Sequence, residues 1–115
     1  MKEYLDIVPP DDAHGVLQDI HWSGGSIGYF PTYTLGNFIG AQLEEKIAAD
    51  IPDLETQFER GEFASLLVWL RDNVHRHGRR YPPAELVRRV TGRPMSAHAF
   101  VRYAKRKFGE LYGLS

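Results

Sequence analysis

Apolar residues recur at helical spacing through most of this chain. Leu35, Phe38, Ile39, Leu43 and Ile47 fall on one face of a 3.6-residue period, which predicts an amphipathic helix over residues 31–49. Pro31 suits its first turn, where a missing N–H costs nothing, and Pro52 ends it. Gly36 and Gly40 lie four apart on this helix, a spacing that lets another element approach its backbone. A short helix is expected over 53–60, ending near Gly61. A stronger one over 62–76 carries Phe63, Leu66, Leu67, Leu70 and Val74, with Gly78 as its stop. Pro82-Pro83 opens a further helix bearing Leu86, Val87 and Val90, closed by Gly92. Ser96 is the expected N-cap of the last helix, whose inward stripe is Phe100, Tyr103, Ala104, Lys107, Phe108 and Leu111.

The first thirty residues follow another pattern. Residues 1–7 read as the end of a helix continuing from something upstream, and Pro9-Pro10 breaks it. Asp11-Asp12 is an N-cap pair for a short turn through 12–18, and Gly24, Gly25 and Gly28 make a flexible loop. No segment alternates with period 2. The expectation is an all-α chain of about five helices with an irregular glycine-rich loop near the N-terminus. It forms a single helical domain over 1–115, with a loop-rich groove segment (1–30) and a helical scaffold (31–115).

With 115 residues, 43% hydrophobic and 25% charged, the chain can bury one modest core. No apolar run approaches the roughly 20 residues that span a bilayer, and no signal-peptide pattern opens the chain. The absence of cysteine excludes disulfides, thiolate zinc sites and cysteine nucleophiles, and favours cytoplasmic residence. Charge is unevenly placed. Residues 1–70 hold 3 Lys/Arg against 12 Asp/Glu, whereas residues 71–115 hold 11 against 3. Such asymmetry suits halves that attract each other, or faces turned to different parts of a larger molecule, better than a nucleic-acid-binding tail. Arg76, Arg79, Arg80, Arg88, Arg89, Arg93, Arg102, Lys105, Arg106 and Lys107 therefore read as a solvated surface. A small nucleic-acid-binding module remains the alternative from another class.

Candidate chemistry concentrates near the start. Asp19 and His21 can orient each other beside Trp22, and residue types alone leave structural and functional roles equally open. Tyr29 and Tyr33 carry phenols suited to an anionic oxygen, but aromatic packing is the better account of the residue types taken alone. His75 and His77, two apart, diverge and chelate poorly. No His-Glu-x-x-His occurs, so no metal site is expected in this chain. Gly24-Gly25-Ser26 follows no strand and is a weak phosphate loop.

The string Gly15-x-x-Gln18-Asp19-x-His21-Trp22 resembles a signature of the carboxypeptidase Taq family of metal-dependent carboxypeptidases. So do Gly28-Tyr29-Phe30-Pro31-Thr32-Tyr33-Thr34-Leu35-Gly36-Asn37, Tyr81-Pro82-Pro83-Ala84-Glu85-Leu86 with Thr91-Gly92, and the run from Tyr103 to Leu114. The resemblance covers essentially the whole chain and lies at the C-terminal end of the family pattern. It implies a C-terminal piece of a larger helical metallopeptidase, a deep-grooved enzyme that removes single residues from peptide C-termini. In that family a divalent metal, zinc or cobalt, is implied to be held by the two His of His-Glu-x-x-His and a downstream Glu. The motif Glu acts as base toward metal-bound water.

Those metal and base residues are absent from this sequence, as is the arginine expected to bind the substrate carboxylate. The chain is therefore expected to be inactive alone, with an upstream catalytic portion of the same enzyme as partner. Carried over by position, the resemblance places Gln18, Asp19, His21 and Trp22 along the groove. Tyr29, and Tyr33 with it, would contact the substrate carboxylate or the oxyanion. Self-association to cover exposed apolar surface, and a non-catalytic role in binding peptide C-termini, are further expectations.

Overall fold

The computed structural model describes residues 2–114, and the described residues are helical with no strand. Among the described residues there are seven α-helices: α1 (Lys2–Leu5), α2 (Ile20–Ser23), α3 (Pro31–Asp50), α4 (Leu54–Glu59), α5 (Ala64–Asn73), α6 (Pro83–Thr91) and α7 (His98–Tyr112). Five of them match the expected series, and α1 and α2 are single turns. The chain divides into two compact units, residues 1–33 and 34–115.

In the first unit no helix holds a buried residue. Asp11 caps the turn after Pro9-Pro10, its carboxylate accepting from the His14 amide at 2.8 Å. A 3-10 turn follows at Val16–Gln18. Gly15 is fixed by space: a Cβ there would lie 3.0 Å from the Pro9 side chain and 3.2 Å from the Asp11 carbonyl oxygen. Large side chains stand in solvent, including Ile20 at 77% and Ile27 at 78% exposure, an unusual density of open apolar surface for so short a segment.

The second unit has a small core. Ile47 of α3, Leu54 of α4 and Trp69 of α5 are buried together, with Leu43, Ile51, Phe58, Leu66, Leu70, Val74 and Val90 packed around them. Trp69, absent from the expected stripe of its helix, is the largest member. Its indole N–H donates to Asp50 Oδ2 at 2.8 Å, so the ring is buried with its polar atom satisfied. Helix α5 is shorter than the predicted 62–76: it stops at Asn73 and the chain continues as a 3-10 turn over His75–His77. Gly78 ends that turn at φ 52°, a backbone suited to glycine.

Three further expectations need correction. Ser96 does not cap α7. Ala97 occupies the cap position without a side-chain bond, while the Ser96 amide donates to the Gln42 side chain at 3.2 Å. The inward stripe of α7 runs through Ala99, with Phe100, Tyr103 and Ala104 half-buried, and Lys107, Phe108 and Leu111 are exposed. The core-facing surface of α7 thus ends two turns early. A Cβ on Gly36 or Gly40 would meet nothing within 4 Å, so no element among the described residues uses that close-approach face.

Gln42 is the buried polar anchor of this unit, 2% exposed. Its amide nitrogen donates to Thr91 Oγ1 (3.1 Å), the Arg93 carbonyl (3.3 Å) and the Pro94 carbonyl (3.1 Å). Its carbonyl accepts from Ser96. One side chain on α3 therefore satisfies the connection between α6 and α7, whose backbone would otherwise be buried unpaired. Above it, Glu45 takes Arg93 (2.9 Å) and Arg102 (2.7 Å), so an acidic residue of the first half pairs with two basic residues of the second. Burial works against that carboxylate's charge, but hydrogen bonds from Arg102 and Arg93 outweigh it and hold its pKa below the ordinary value.

Candidate functional site

The Gln18–Tyr33 segment builds its geometry from one local device. Asp19 adopts an extended backbone (φ −76°, ψ 103°) and caps α2. Its Oδ1 accepts from the His21 amide at 2.9 Å and lies 2.7 Å from His21 Nδ1. Both bonds follow from the two-residue spacing at a helix start, where a short carboxylate reaches back to the first turn. The amide bond and then the imidazole bond lower the Asp19 pKa from its ordinary value, against a smaller opposing effect of burial. An ionised carboxylate only accepts, so Nδ1 carries the proton and Nε2 is left as the outward nitrogen.

The glycine loop then turns the chain back. Gly24 and Gly25 close α2 through amide bonds to the Ile20 and Trp22 carbonyls, and Ser26 donates to the His21 carbonyl at 2.7 Å. Gly25 (φ 78°) and Gly28 (φ 75°) take the left-handed backbone that reverses direction twice in four residues. The result brings Tyr29, Phe30 and Tyr33 around the imidazole. Their ring centroids lie 5.4, 5.7 and 5.6 Å from that of His21, and the Tyr33 hydroxyl stands 3.3 Å from His21 Nε2.

His21 is thus held on both ring nitrogens, with its side chain 18% exposed and that of Asp19 24%. The aromatic rings around it are open to solvent: Tyr29 is 50% and Tyr33 56% exposed. A positioned imidazole beside two accessible phenols can orient and donate hydrogen bonds to an anionic oxygen.

Four of the six residues singled out from sequence converge here: Asp19, His21, Tyr29 and Tyr33. Gln18 turns away, its amide donating to the Ala13 carbonyl at 2.6 Å, and Trp22 presents a half-exposed indole on the turn of α2. Phe30 joins the cluster without having been singled out. Its only signal in the sequence was its place between Tyr29 and Pro31, immediately before α3 and beside the tyrosines.

Among the described residues no group of three or more His, Asp or Glu side chains is placed to hold a metal ion. His21 Nδ1 is taken by Asp19 and its Nε2 faces the Tyr33 hydroxyl, so in this arrangement neither ring nitrogen is turned to an ion. No helix among the described residues is long and apolar enough to cross a membrane.

A family model of the carboxypeptidase Taq (M32) metallopeptidases matches residues 1–108. The chain is 47% identical over 112 residues to Thermostable carboxypeptidase 1 of Thermus thermophilus, covering 97% of this chain. It is 48% identical over 108 residues to Thermostable carboxypeptidase 1 of Pyrococcus furiosus, covering 94%. The crystal structure of an M32 carboxypeptidase from Deinococcus radiodurans superposes with a TM-score of 0.91 at 45% identity, covering 98% of this chain and 23% of that one. Metallocarboxypeptidase 1 of Trypanosoma cruzi gives 0.86 at 32% identity, covering 94% and 23%. The chain spans about 22% of the length of the curated relatives it matches. With a family model covering nearly all of its length, the chain belongs to the carboxypeptidase Taq (M32) metallopeptidase family.

Proposed function

We propose that this chain supplies one wall of the substrate groove of a metal-dependent carboxypeptidase, corresponding to the C-terminal portion of the enzyme. The substrate is a peptide with a free C-terminus, and the reaction is release of its last residue. The observation that carries this reading is the two-sided hold on His21, with Asp19 at Nδ1 and Tyr33 at Nε2. Asp19 fixes the tautomer, and Tyr33 and Tyr29 present phenols to the substrate carboxylate or to the oxyanion. The family pattern adds Trp22 to this wall and Gln18 to the groove beside it, the latter anchoring the preceding turn through Ala13.

While His21 is neutral, its Nε2 accepts from the Tyr33 hydroxyl. Once it is protonated, Nε2 donates instead and the Tyr33 proton is free to reach a bound anion.

When bound, a zinc or cobalt ion would supply the activated water. Its ligands are not among these residues, so the chain alone is inactive and its partner is the upstream portion carrying His-Glu-x-x-His. The open apolar side chains of the first unit support such a partner, or self-association of the isolated chain. Cytoplasmic residence agrees with the absence of cysteine.

Reconstitution tests the proposal: the chain is mixed with a separately produced upstream portion and release of C-terminal residues is assayed. The reading expects association and activity that depends on His21. Absence of both would refute it. Calorimetry with peptides bearing free or amidated C-termini adds the binding arm, with preference for the free carboxylate expected.

A further inference from the structure

The turn between α5 and α6 packs cations at a density that the proposed groove does not use. From His75 to Tyr81 the chain reads His-Arg-His-Gly-Arg-Arg-Tyr, with no acidic residue. Among the described residues, Arg76, Arg79 and Arg80 have no carboxylate within ion-pair distance. Nearby, Glu85 is shared by Arg88 (2.9 Å) and Arg89 (2.8 Å). Positive charge is thus left uncompensated in a short segment, where mutual repulsion favours an anionic ligand.

Tyr81 fixes part of this charge, Arg80 of the turn together with Arg89 of α6. The Arg89 guanidinium sits 4.3 Å from the centroid of its ring and that of Arg80 5.5 Å, and the His77 ring lies 5.5 Å away, tilted at 58°. Cation–π contact keeps both guanidiniums beside one ring; it leaves the Arg80 N–H donors open, while Arg89 gives its Nε–H to Glu85 and keeps its terminal N–H groups. The turn is held by bonds from the Gly78 amide to the His75 carbonyl (3.0 Å) and from the Arg80 amide to the His77 carbonyl (3.0 Å), and Pro82-Pro83 stiffens its exit. Every unpaired cation here is arginine. Its planar fork suits bidentate contact with tetrahedral oxyanions better than the point charge of lysine. Three residues of 3-10 turn rise only about 6 Å, so the footprint matches a compact ligand rather than a long polymer.

We propose that the Arg76–Tyr81 turn, with Arg89, is an oxyanion site for a small ligand carrying two or more adjacent phosphoryl groups. It stands independently of the groove assignment, since it shares no residue with the Asp19–His21 cluster.

Calorimetric titration of the 115-residue chain with inorganic tripolyphosphate tests it, at low and at physiological salt. Saturable binding that weakens with salt is expected. The variant Arg76→Gln/Arg79→Gln/Arg80→Gln should lose about tenfold or more in affinity. The control Lys105→Gln/Arg106→Gln/Lys107→Gln removes equal charge elsewhere and should change it by less than about threefold. Circular dichroism confirms that both variants fold. No saturable binding, an equal loss in the control, or tighter binding of a single-stranded oligonucleotide than of tripolyphosphate would each overturn the proposal.

Discussion

Asp19 Oδ1 receives two hydrogen bonds from a single residue, the amide and the Nδ1 of His21, at 2.9 and 2.7 Å. The same oxygen therefore caps a helix turn and sets a tautomer. That coupling makes Asp19 a positioning residue whose removal is felt at Tyr33, on the far side of the imidazole.

Asp19→Asn separates the two duties. Asparagine is as good an N-cap, so α2 should persist. Its amide group can face Nδ1 as a donor, however, moving the proton to Nε2 and reversing the bond to Tyr33. In the reconstituted enzyme kcat/KM should fall about 10- to 100-fold with an altered pH profile. A merely structural Asp19 would leave the profile where it was.

Removing the Tyr33 hydroxyl with Tyr33→Phe keeps the ring packing of 5.6 Å on His21 and deletes one donor. If the phenol serves the oxyanion, kcat drops about 100-fold with KM nearly unchanged. If it serves only the ground-state carboxylate, KM rises instead. Unchanged kinetics would remove Tyr33 from the site.

The pH dependence has a definite sign. Hydrogen bonds from His21 hold the folded-state pKa of Asp19 below its ordinary value, so between the two values the unfolded chain binds more protons. The contribution is present in full above the unfolded value of about 4 and is lost as pH falls through the folded one. The side-chain carboxyl carbon resonance of Asp19 reports its own titration, and its acid-limb midpoint should lie below about pH 4. A midpoint above that would contradict the assignment.

Gln42 should be the most sensitive polar residue in the second unit. Gln42→Glu is nearly isosteric, yet it turns an oxygen toward the Arg93 and Pro94 carbonyls and buries a charge. A loss of about 3 kcal/mol or more is expected by denaturant unfolding. Gln42→Ala should cost less, about 2 kcal/mol, because it leaves unpaired groups but no charge.

Trp69→Ala should cost about 3–5 kcal/mol, the ordinary toll for emptying a well-packed aromatic site. A change under 1 kcal/mol would mean that the Ile47–Leu54–Trp69 cluster is not the unit's core.

The parts legible in the sequence are those governed by local rules. Periodicity and proline or glycine punctuation located α3 to α7, because the glycine and proline effects act within one turn. Asp19 and His21 were visible as a pair for the same reason: two residues apart, at a capping position. The stripe of α7 misled because Phe108 and Leu111 follow the right spacing yet stand exposed, and spacing alone does not say where the covering elements end. Gln42 gave no signal at all. Its partners lie 49 to 54 residues away, and a glutamine surrounded by apolar helix positions looks like any surface polar residue. Phe30 and Trp69 were likewise decided by tertiary packing, which spacing does not encode.

The most direct measurement is a graft. This chain replaces the matching segment of an active family carboxypeptidase, and release of C-terminal residues is compared with a second graft carrying His21→Ala. The account predicts that the first graft is active, and that the second folds and binds metal equally but loses at least about 100-fold in kcat/KM. Equal activity in the two grafts would contradict the claim that His21 and the rings around it form a wall of the substrate groove.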